Sequence, residues 1–180
     1  MRAVVGGTSG SGKSTFAQAL AKSAGLDYIE LDLLNWGPGW FDRNTNDRED
    51  FTARVDAATA TPAWAIAGNY SSQRDLIWGR ATHVVWLDLP KHVVMQRVIG
   101  RSFPRAFSGK DVFPGCREDG WRMFRADHPI RFAWTTFEKR RTQYAALFAD
   151  PTYAHLSRIR CTSPKKVAAA LATLIAEGKR

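Results

Sequence analysis

The chain has 180 residues, 44% of them hydrophobic and 24% charged, which is enough for one domain with a sizeable core. No apolar run nears the ~20 residues of a membrane span, and Cys116 and Cys161 show neither a CxxC nor a metal-ligand spacing, so they read as reduced thiols. The formal charge of +9 is uneven: residues 1–90 hold 8 Lys/Arg against 10 Asp/Glu, 91–141 hold 12 against 5, and 142–180 hold 6 against 2. A basic second half suits nucleic acid or a bound polyphosphate, and composition does not choose between them.

In chain order, Ala3-Val4-Val5 reads as a first strand, so no leader is expected ahead of it and the cytoplasm is the expected compartment. Gly7-Thr8-Ser9-Gly10-Ser11-Gly12-Lys13-Ser14 follows, with Thr15 next, and matches G-x-x-x-x-G-K-[ST] at every fixed position. Glycines let successive N–H groups converge on phosphate oxygens at the positive end of the next helix, which Phe16, Ala17, Leu20 and Ala21 pattern and Gly25 stops. In that motif Lys13 reaches the β/γ-phosphates and Ser14 ligates Mg²⁺. Tyr28 to Leu31 reads as a second strand ending at Asp32. Leu33 to Phe41 reads as a loop, where Trp36, Trp40 and Phe41 flank Gly37-Pro38-Gly39. It either closes over a flat ligand or plugs the surface.

A helix is expected over Asp47–Ala60, then a buried strand, Trp64–Ala67, delivering Gly68-Asn69-Tyr70. Ser71 to Asp75 opens a helix, in which Arg74 holds an acceptor or pairs locally with Asp75. Val84 to Pro90 is apolar except for Asp88, as in a strand buried on both faces. The helix expected next, about Lys91 to Ser102, carries Arg97 and Arg101 at i, i+4. Residues 101–125 read as loop and short helix, 132–148 as a long helix with Arg140, Arg141 and Tyr144, and 153–159 as a last strand. Ser163-Pro164 starts a final helix. His83, His92, His128 and His155 form no nucleophile constellation, and Trp121, Phe124, Phe132 and Trp134 read as packing against the core. Alternating strands and helices imply a parallel sheet whose ligands sit beyond the strands' carboxyl ends. That rim gathers Gly7–Ser14, Glu30, Asp32, Gly68–Tyr70 and Asp88.

Leu87-Asp88-Leu89-Pro90 followed by Arg97 and Arg101 resembles the adenylate kinases, where such arginines contact the adenine ring and the triphosphate. Arg140 with Tyr144 resembles that family's arginine beside the transferred phosphoryl, and Cys161-Thr162-Ser163-Pro164-Lys165 resembles its adenine loop, which implies nucleotide contacts for Pro164 and Lys165. Asp88 as a helix cap and the arginines as a solvated face remain the plain alternatives. Where the family has D-G-F-P-R this chain has Ala67-Gly68-Asn69-Tyr70, so Mg²⁺ falls to Ser14 with Asp32 or Asp88. The monophosphate motif T-G-D-x-x-R is absent. Glu30-x-Asp32 in its place is similar to shikimate and gluconate kinases, where an acid holds a hydroxyl and accepts its proton. Glu30-Leu31-Asp32, Gly37-Pro38-Gly39-Trp40, Gly68 to Asp75 and Val85 to Pro90 also resemble a bacterial group labelled "DNA topology modulation protein" or "adenylate kinase-like".

The expected fold is α/β, a three-layer P-loop NTPase domain over residues 1–180, with a central five-stranded parallel sheet, an acceptor-binding insertion at about 32–61 and a helical lid at about 101–131. The expected activity is ATP-dependent phosphoryl transfer to a small metabolite, nucleoside or nucleotide. Lys13, Asp32, Arg97, Arg101 and Arg140 are the candidate catalytic residues. Glu30, Asp32, Trp36, Gly68, Asn69, Tyr70 and Arg74 are the candidate acceptor contacts. A nucleotide binder without transfer and an ATP-regulated DNA-binding protein are the rival expectations.

Overall fold

The computed structural model describes residues 1–108, 111–117 and 129–179. The first half runs β1 (Arg2–Gly7), α1 (Lys13–Ala24), β2 (Asp27–Glu30), α2 (Leu31–Asn35), β3 (Trp36–Gly37), β4 (Phe41–Asp42), α3 (Arg43–Asn46), α4 (Arg48–Ala58) and β5 (Trp64–Ala67). The second half runs α5 (Arg74–Arg80), β6 (His83–Leu87), α6 (Lys91–Ser108), β7 (Asp111–Phe113), β8 (Cys116–Arg117), α7 (Pro129–Ala149), β9 (Ser157–Cys161) and α8 (Pro164–Gly178). Five strands form one parallel sheet in the order β2-β5-β1-β6-β9. This is the expected three-layer α/β architecture.

Strand alternation sorts the core onto the two faces of this sheet. Ala3, Val5, Ala65, Ala67, Val85 and Leu87 face α1 and α8, meeting Phe16, Leu20 and Leu174. The alanines of β1 and β5 leave room for α1 to lie close. Val4, Trp64, Ile66, Val84 and Trp86 face the other way, against Phe51 and Val55 of α4, Ile77 and Trp78 of α5 and Tyr144 of α7. Because both faces are covered, the strands read as continuous apolar runs rather than alternating ones. Among the described residues no helix is long and apolar enough to cross a membrane.

Tyr144 is where α7 meets the sheet. Its ring lies nearly parallel to Trp86, with centroids 5.7 Å apart, and a Cβ on Gly6 would come within 2.1 Å of its hydroxyl. Gly6→Ala therefore pushes Tyr144 off the strand, with an expected loss of about 1–3 kcal/mol. Chemical denaturation checks this, and the loss is expected to shrink when Tyr144→Ala is made alongside.

Several elements differ from the sequence expectation. β2 stops at Glu30, the register partner of the last β5 residue, Ala67. The chain then turns into α2, burying Leu31 beneath Gly68, so Asp32 sits in a helix rather than at a strand end. Residues 36–42, read as loop, form a small antiparallel hairpin around a 3₁₀ turn at Pro38–Trp40. α6 continues to Ser108, past the expected end near Ser102 and through Pro104, with Val94, Val98 and Ser102 at i, i+4, i+8 all buried. Residues 111–117 form a second hairpin instead of loop. The last strand starts at Ser157, because Pro151–Tyr153 is a 3₁₀ turn with Tyr153 held edge-on against Trp78. Phe132 and Trp134 do not pack into the core: they are 40% and 58% exposed, and Lys91 lies over the Trp134 ring. Trp121 and Phe124, and positions 109–110 and 118–128 of the expected lid, lie outside the described residues.

Candidate active site

β1 runs straight into the glycine-rich loop, and the loop's shape depends on its glycines. Gly10 and Gly12 sit at φ 84 and 97, a left-handed region that costs other residues energy. A Cβ on Gly10 would also lie 2.2 Å from the Val98 side chain of α6. Gly12 is the N-cap of α1 and supplies no side-chain cap, so the positive helix end stays open toward the loop. Ser14 and Thr15 are exposed on that first turn, Thr8 is buried, and the buried Ser11 hydroxyl has no partner among the described residues.

Lys13 reaches back across the loop and donates to the Thr8 carbonyl at 3.1 Å. Burial pulls its ammonium down to about 8, and Asp32 opposes that shift. Arg101 lowers it further, Glu30 raises it, and Arg140 lowers it again. Five candidate residues thus share one electrostatic environment. From α6, Arg97 donates to the Ser11 carbonyl at 3.0 Å and Arg101 to the Ser9 hydroxyl at 3.0 Å. The i, i+4 spacing places both guanidiniums over the loop, where a polyphosphate needs charge.

The acids come from the other side of β1. Glu30 accepts from the Tyr28 hydroxyl and lies beside Ser14, while burial raises its carboxyl above the ordinary range. Asp32 accepts from the Tyr70 hydroxyl at 2.6 Å. Burial, reinforced by Asp32, moves that phenol far above its usual range. Asn69 ties this side to the loop. Its amide donates to the Gly7 carbonyl, and its Oδ1 accepts from the Gly7 N–H at 3.3 Å and the Tyr144 hydroxyl at 2.6 Å. Arg140, from α7, donates to the Asn69 carbonyl at 3.3 Å.

A cavity of about 310 Å³ opens beside this junction, between α5 and α7, and Gly68, Asn69, Tyr70, Arg74 and Arg140 all line it. Trp36 does not join them. It stacks edge-on with Trp40 inside the β3–β4 hairpin, at 5.6 Å, and Trp40 in turn meets Phe113 of β7 at 6.1 Å.

Asp88 is placed apart from the other acids, beyond the end of β6 on the opposite side of β1. Arg141 holds one of its oxygens at 3.0 Å and Arg160 the other at 2.6 Å. A carboxylate so neutralised is a poor cation ligand, and it serves instead as a clasp joining α7, β6 and β9. Its side chain is 3% exposed, whereas Arg141 and Arg160 are 50% and 47% exposed and keep contact with water. Asp88→Asn is therefore expected to lower unfolding stability by about 1–2 kcal/mol, less than for a fully buried pair. The Mg²⁺ dependence of nucleotide binding should not change, and a titration of both quantities checks it. Pro164 and Lys165 open α8 in exposed positions, after the Ser163 hydroxyl has accepted the Lys166 N–H.

Sequence reading missed Tyr28, Arg160 and the pairing of Arg141 with Asp88. Tyr28 was legible, since it stands two residues before Glu30 on the same face of a strand. Arg160 was not, because its position depends on the register Trp86↔Arg160 between distant strands.

The fold is that of P-loop kinases. No protein-family model matches the sequence, and no curated protein matches it. Solved structures do match. A gluconokinase from Sinorhizobium meliloti 1021 is 20% identical, with TM-score 0.53, over 97% of this chain and 93% of that one. A shikimate kinase from Acinetobacter baumannii in complex with shikimate is 14% identical, with TM-score 0.54, over 97% and 90%. A shikimate kinase from Bacteroides thetaiotaomicron is 15% identical, with TM-score 0.54, over 98% and 97%. Likeness at these identities establishes the fold.

Proposed function

We propose that the chain is an ATP-dependent phosphotransferase acting on a hydroxyl of a small molecule. The observation that carries this is the convergence of Arg101, Arg140 and the acid pair Glu30/Asp32 on Lys13, with Arg97 bonded to the same loop at Ser11. Loop amides and Lys13 bind the β- and γ-phosphates of ATP. Arg97, Arg101 and Arg140 neutralise charge on the transferring group. The acceptor hydroxyl oxygen bonds to the γ-phosphorus as the bond from that phosphorus to the bridging oxygen breaks. ADP leaves with the electron pair, and the hydroxyl proton passes to Asp32. A nucleoside monophosphate would bring negative charge against Glu30 and Asp32, so a neutral hydroxyl is the better reacting group.

The donor set also fits Mg²⁺. Ser14 offers a hydroxyl beside Glu30, a half-buried acid whose raised pKa marks a charge short of compensation. Asp32 is the second carboxylate, and such sites draw their other ligands from phosphate and water. When bound, the ion neutralises the β/γ-phosphate oxygens. Residues 32–61 are proposed as the acceptor side and 101–131 as the lid, with Pro164 and Lys165 on the adenine.

Ala67 favours a second reading. The position where adenylate kinases carry a metal-holding acid is here a fully buried alanine, as suits a protein that binds nucleotide without transferring phosphate. The test is ADP formation from Mg-ATP over a panel of hydroxylated metabolites, with ATP affinity measured in parallel. Acceptor-dependent ADP supports transfer. Tight ATP binding with no acceptor-dependent ADP leaves the binding-only reading standing. The resemblance to the DNA topology group predicts instead an affinity for duplex DNA that falls steeply with salt and survives Lys13→Ala. The phosphotransferase reading is preferred because the described cations of α6 reach the loop itself.

A further inference from the structure

The cavity beside Asn69 has a lining that selects its ligand. Its floor is apolar, made by Val4, Leu31, Ile66, Ile77, Trp78 and Leu147. Of its polar wall groups, Asn69 is engaged by Gly7 and Tyr144, the Tyr70 hydroxyl by Asp32 and the Thr136 hydroxyl by the Phe132 carbonyl, while Ser71 and Gln143 are exposed at the mouth. Over that floor a polyhydroxylated ligand would lose its water and find replacement hydrogen bonds only at the mouth.

The rim is cationic, formed by Arg74 of α5 and by Lys139 and Arg140 of α7. Among the described residues, Arg74 and Lys139 have no hydrogen bond or ion pair to a carboxylate. Asp75, next to Arg74, instead accepts from the Tyr153 hydroxyl at 3.0 Å. The acids lie past the opposite wall, where Tyr70 both lines the cavity and donates to Asp32. The cavity thus has cations at the α5–α7 rim and the carboxylates of Asp32 and Glu30 past Tyr70, with apolar surface between. The volume is at the lower end for ligand sites and suits a compact metabolite rather than a nucleotide.

We infer, on the phosphotransferase reading, that the acceptor is a compact hydroxylated anion with an apolar or aromatic body. Its anionic end lies against Arg74 and Lys139, its body on Leu31, Ile77 and Trp78, and its hydroxyl points toward Asp32. The like charges of Glu30 and Asp32 prevent the reversed orientation. This class is unlike gluconate or shikimate, whose several hydroxyls the floor does not serve.

The experiment uses the full chain with Mg-ATP and follows both the melting shift and ADP release. The probes are 4-(hydroxymethyl)benzoate, its neutral amide, the corresponding phosphate monoester, branched aliphatic hydroxy-carboxylates, gluconate and shikimate. The anionic apolar probes are expected to raise the melting temperature and to accelerate ADP release. The carboxylate and the phosphate ester together tell which anion the rim prefers. The amide should bind at least tenfold more weakly. The double variant Arg74→Gln/Lys139→Gln should raise KM for the anionic probes at least tenfold while leaving ATP affinity unchanged, which also shows that it is folded. Equal binding of acid and amide, an unchanged KM in the double variant, preference for gluconate or shikimate, or no response to any anionic apolar probe overturns the inference. ADP release with a polyol alone would sink this inference and spare the phosphotransferase. A melting shift with the anionic probes but no ADP release would keep the pocket's ligand class and sink the transfer reaction.

Discussion

Lys13→Ala is expected to bind ATP at least ~10²-fold more weakly and to show no phosphoryl transfer above background, with an unchanged melting temperature in the absence of nucleotide. The reason is local. Lys13 is the ammonium at the centre of the loop, tethered to Thr8, and no other lysine contributes to its electrostatic surroundings. Arg97 and Arg101 bond to Ser11 and Ser9, so they clamp the loop from above and do not substitute for a charge beneath the phosphates. The same residue gives a pH test with a definite sign. Burial lowers Lys13 to about 8, so the free protein carries this charge below pH 8 and loses it above. ATP binding should therefore weaken as pH rises through about 8, with one proton taken up on binding at higher pH. Lys13→Arg, whose guanidinium does not titrate there, should flatten that profile. Isothermal titration at pH 6.5, 8 and 9.5 checks both. ATP binding by Lys13→Ala at wild-type strength would remove the basis for every assignment at the loop.

The loop and the two arginines proposed for the donor half were legible in the sequence because their geometry is local. The loop from Gly7 to Ser14 dictates its own shape, and Arg97 and Arg101 stand one turn apart on a helix that strand β6 aims at the loop. The sheet was legible for a similar reason, since strands covered on both faces leave unbroken apolar runs such as Val84 to Leu87. The acceptor half was not. Asp32 reads as the end of a strand, and only burial of Leu31 under Gly68 bends the chain into α2 and turns Asp32 toward Tyr70. Asp88 looks like a cation ligand until Arg141 and Arg160 arrive from α7 and β9, 53 and 72 residues later. Trp36 looks like a ligand platform because aromatics beside Gly-Pro-Gly suit one, yet its ring is engaged by Trp40. Each of these depends on contacts between segments distant in sequence, which periodicity and spacing do not encode.

Asp32→Asn carries the second large effect, because it separates binding from transfer. The substitution keeps the size and the acceptor oxygen that Tyr70 uses, but it removes the group proposed to take the acceptor's proton. Turnover is expected to fall by about 10²–10⁴-fold. ATP binding near pH 7, measured without Mg²⁺, should be nearly unaffected. At pH 8 a small weakening is expected, because the negative charge of Asp32 raises the pKa of Lys13 and its loss lets burial depress that ammonium further. The two effects therefore differ in sensitivity: the loss in kcat persists across pH, whereas the loss in ATP affinity grows only as Lys13 deprotonates. Tyr70→Phe supplies the control. It keeps the carboxylate and removes one hydrogen bond, so it should lower kcat far less than Asp32→Asn. A Tyr70→Phe effect as large as that of Asp32→Asn would move the decisive role from the carboxylate to the pair. Stopped-flow ATP binding and steady-state turnover on the same preparations distinguish these outcomes. An Asp32→Asn protein that transfers phosphate at the wild-type rate would leave Glu30 as the acid to test next. It is the other carboxylate beside Lys13, and burial raises its pKa, which makes it the more basic for accepting a proton.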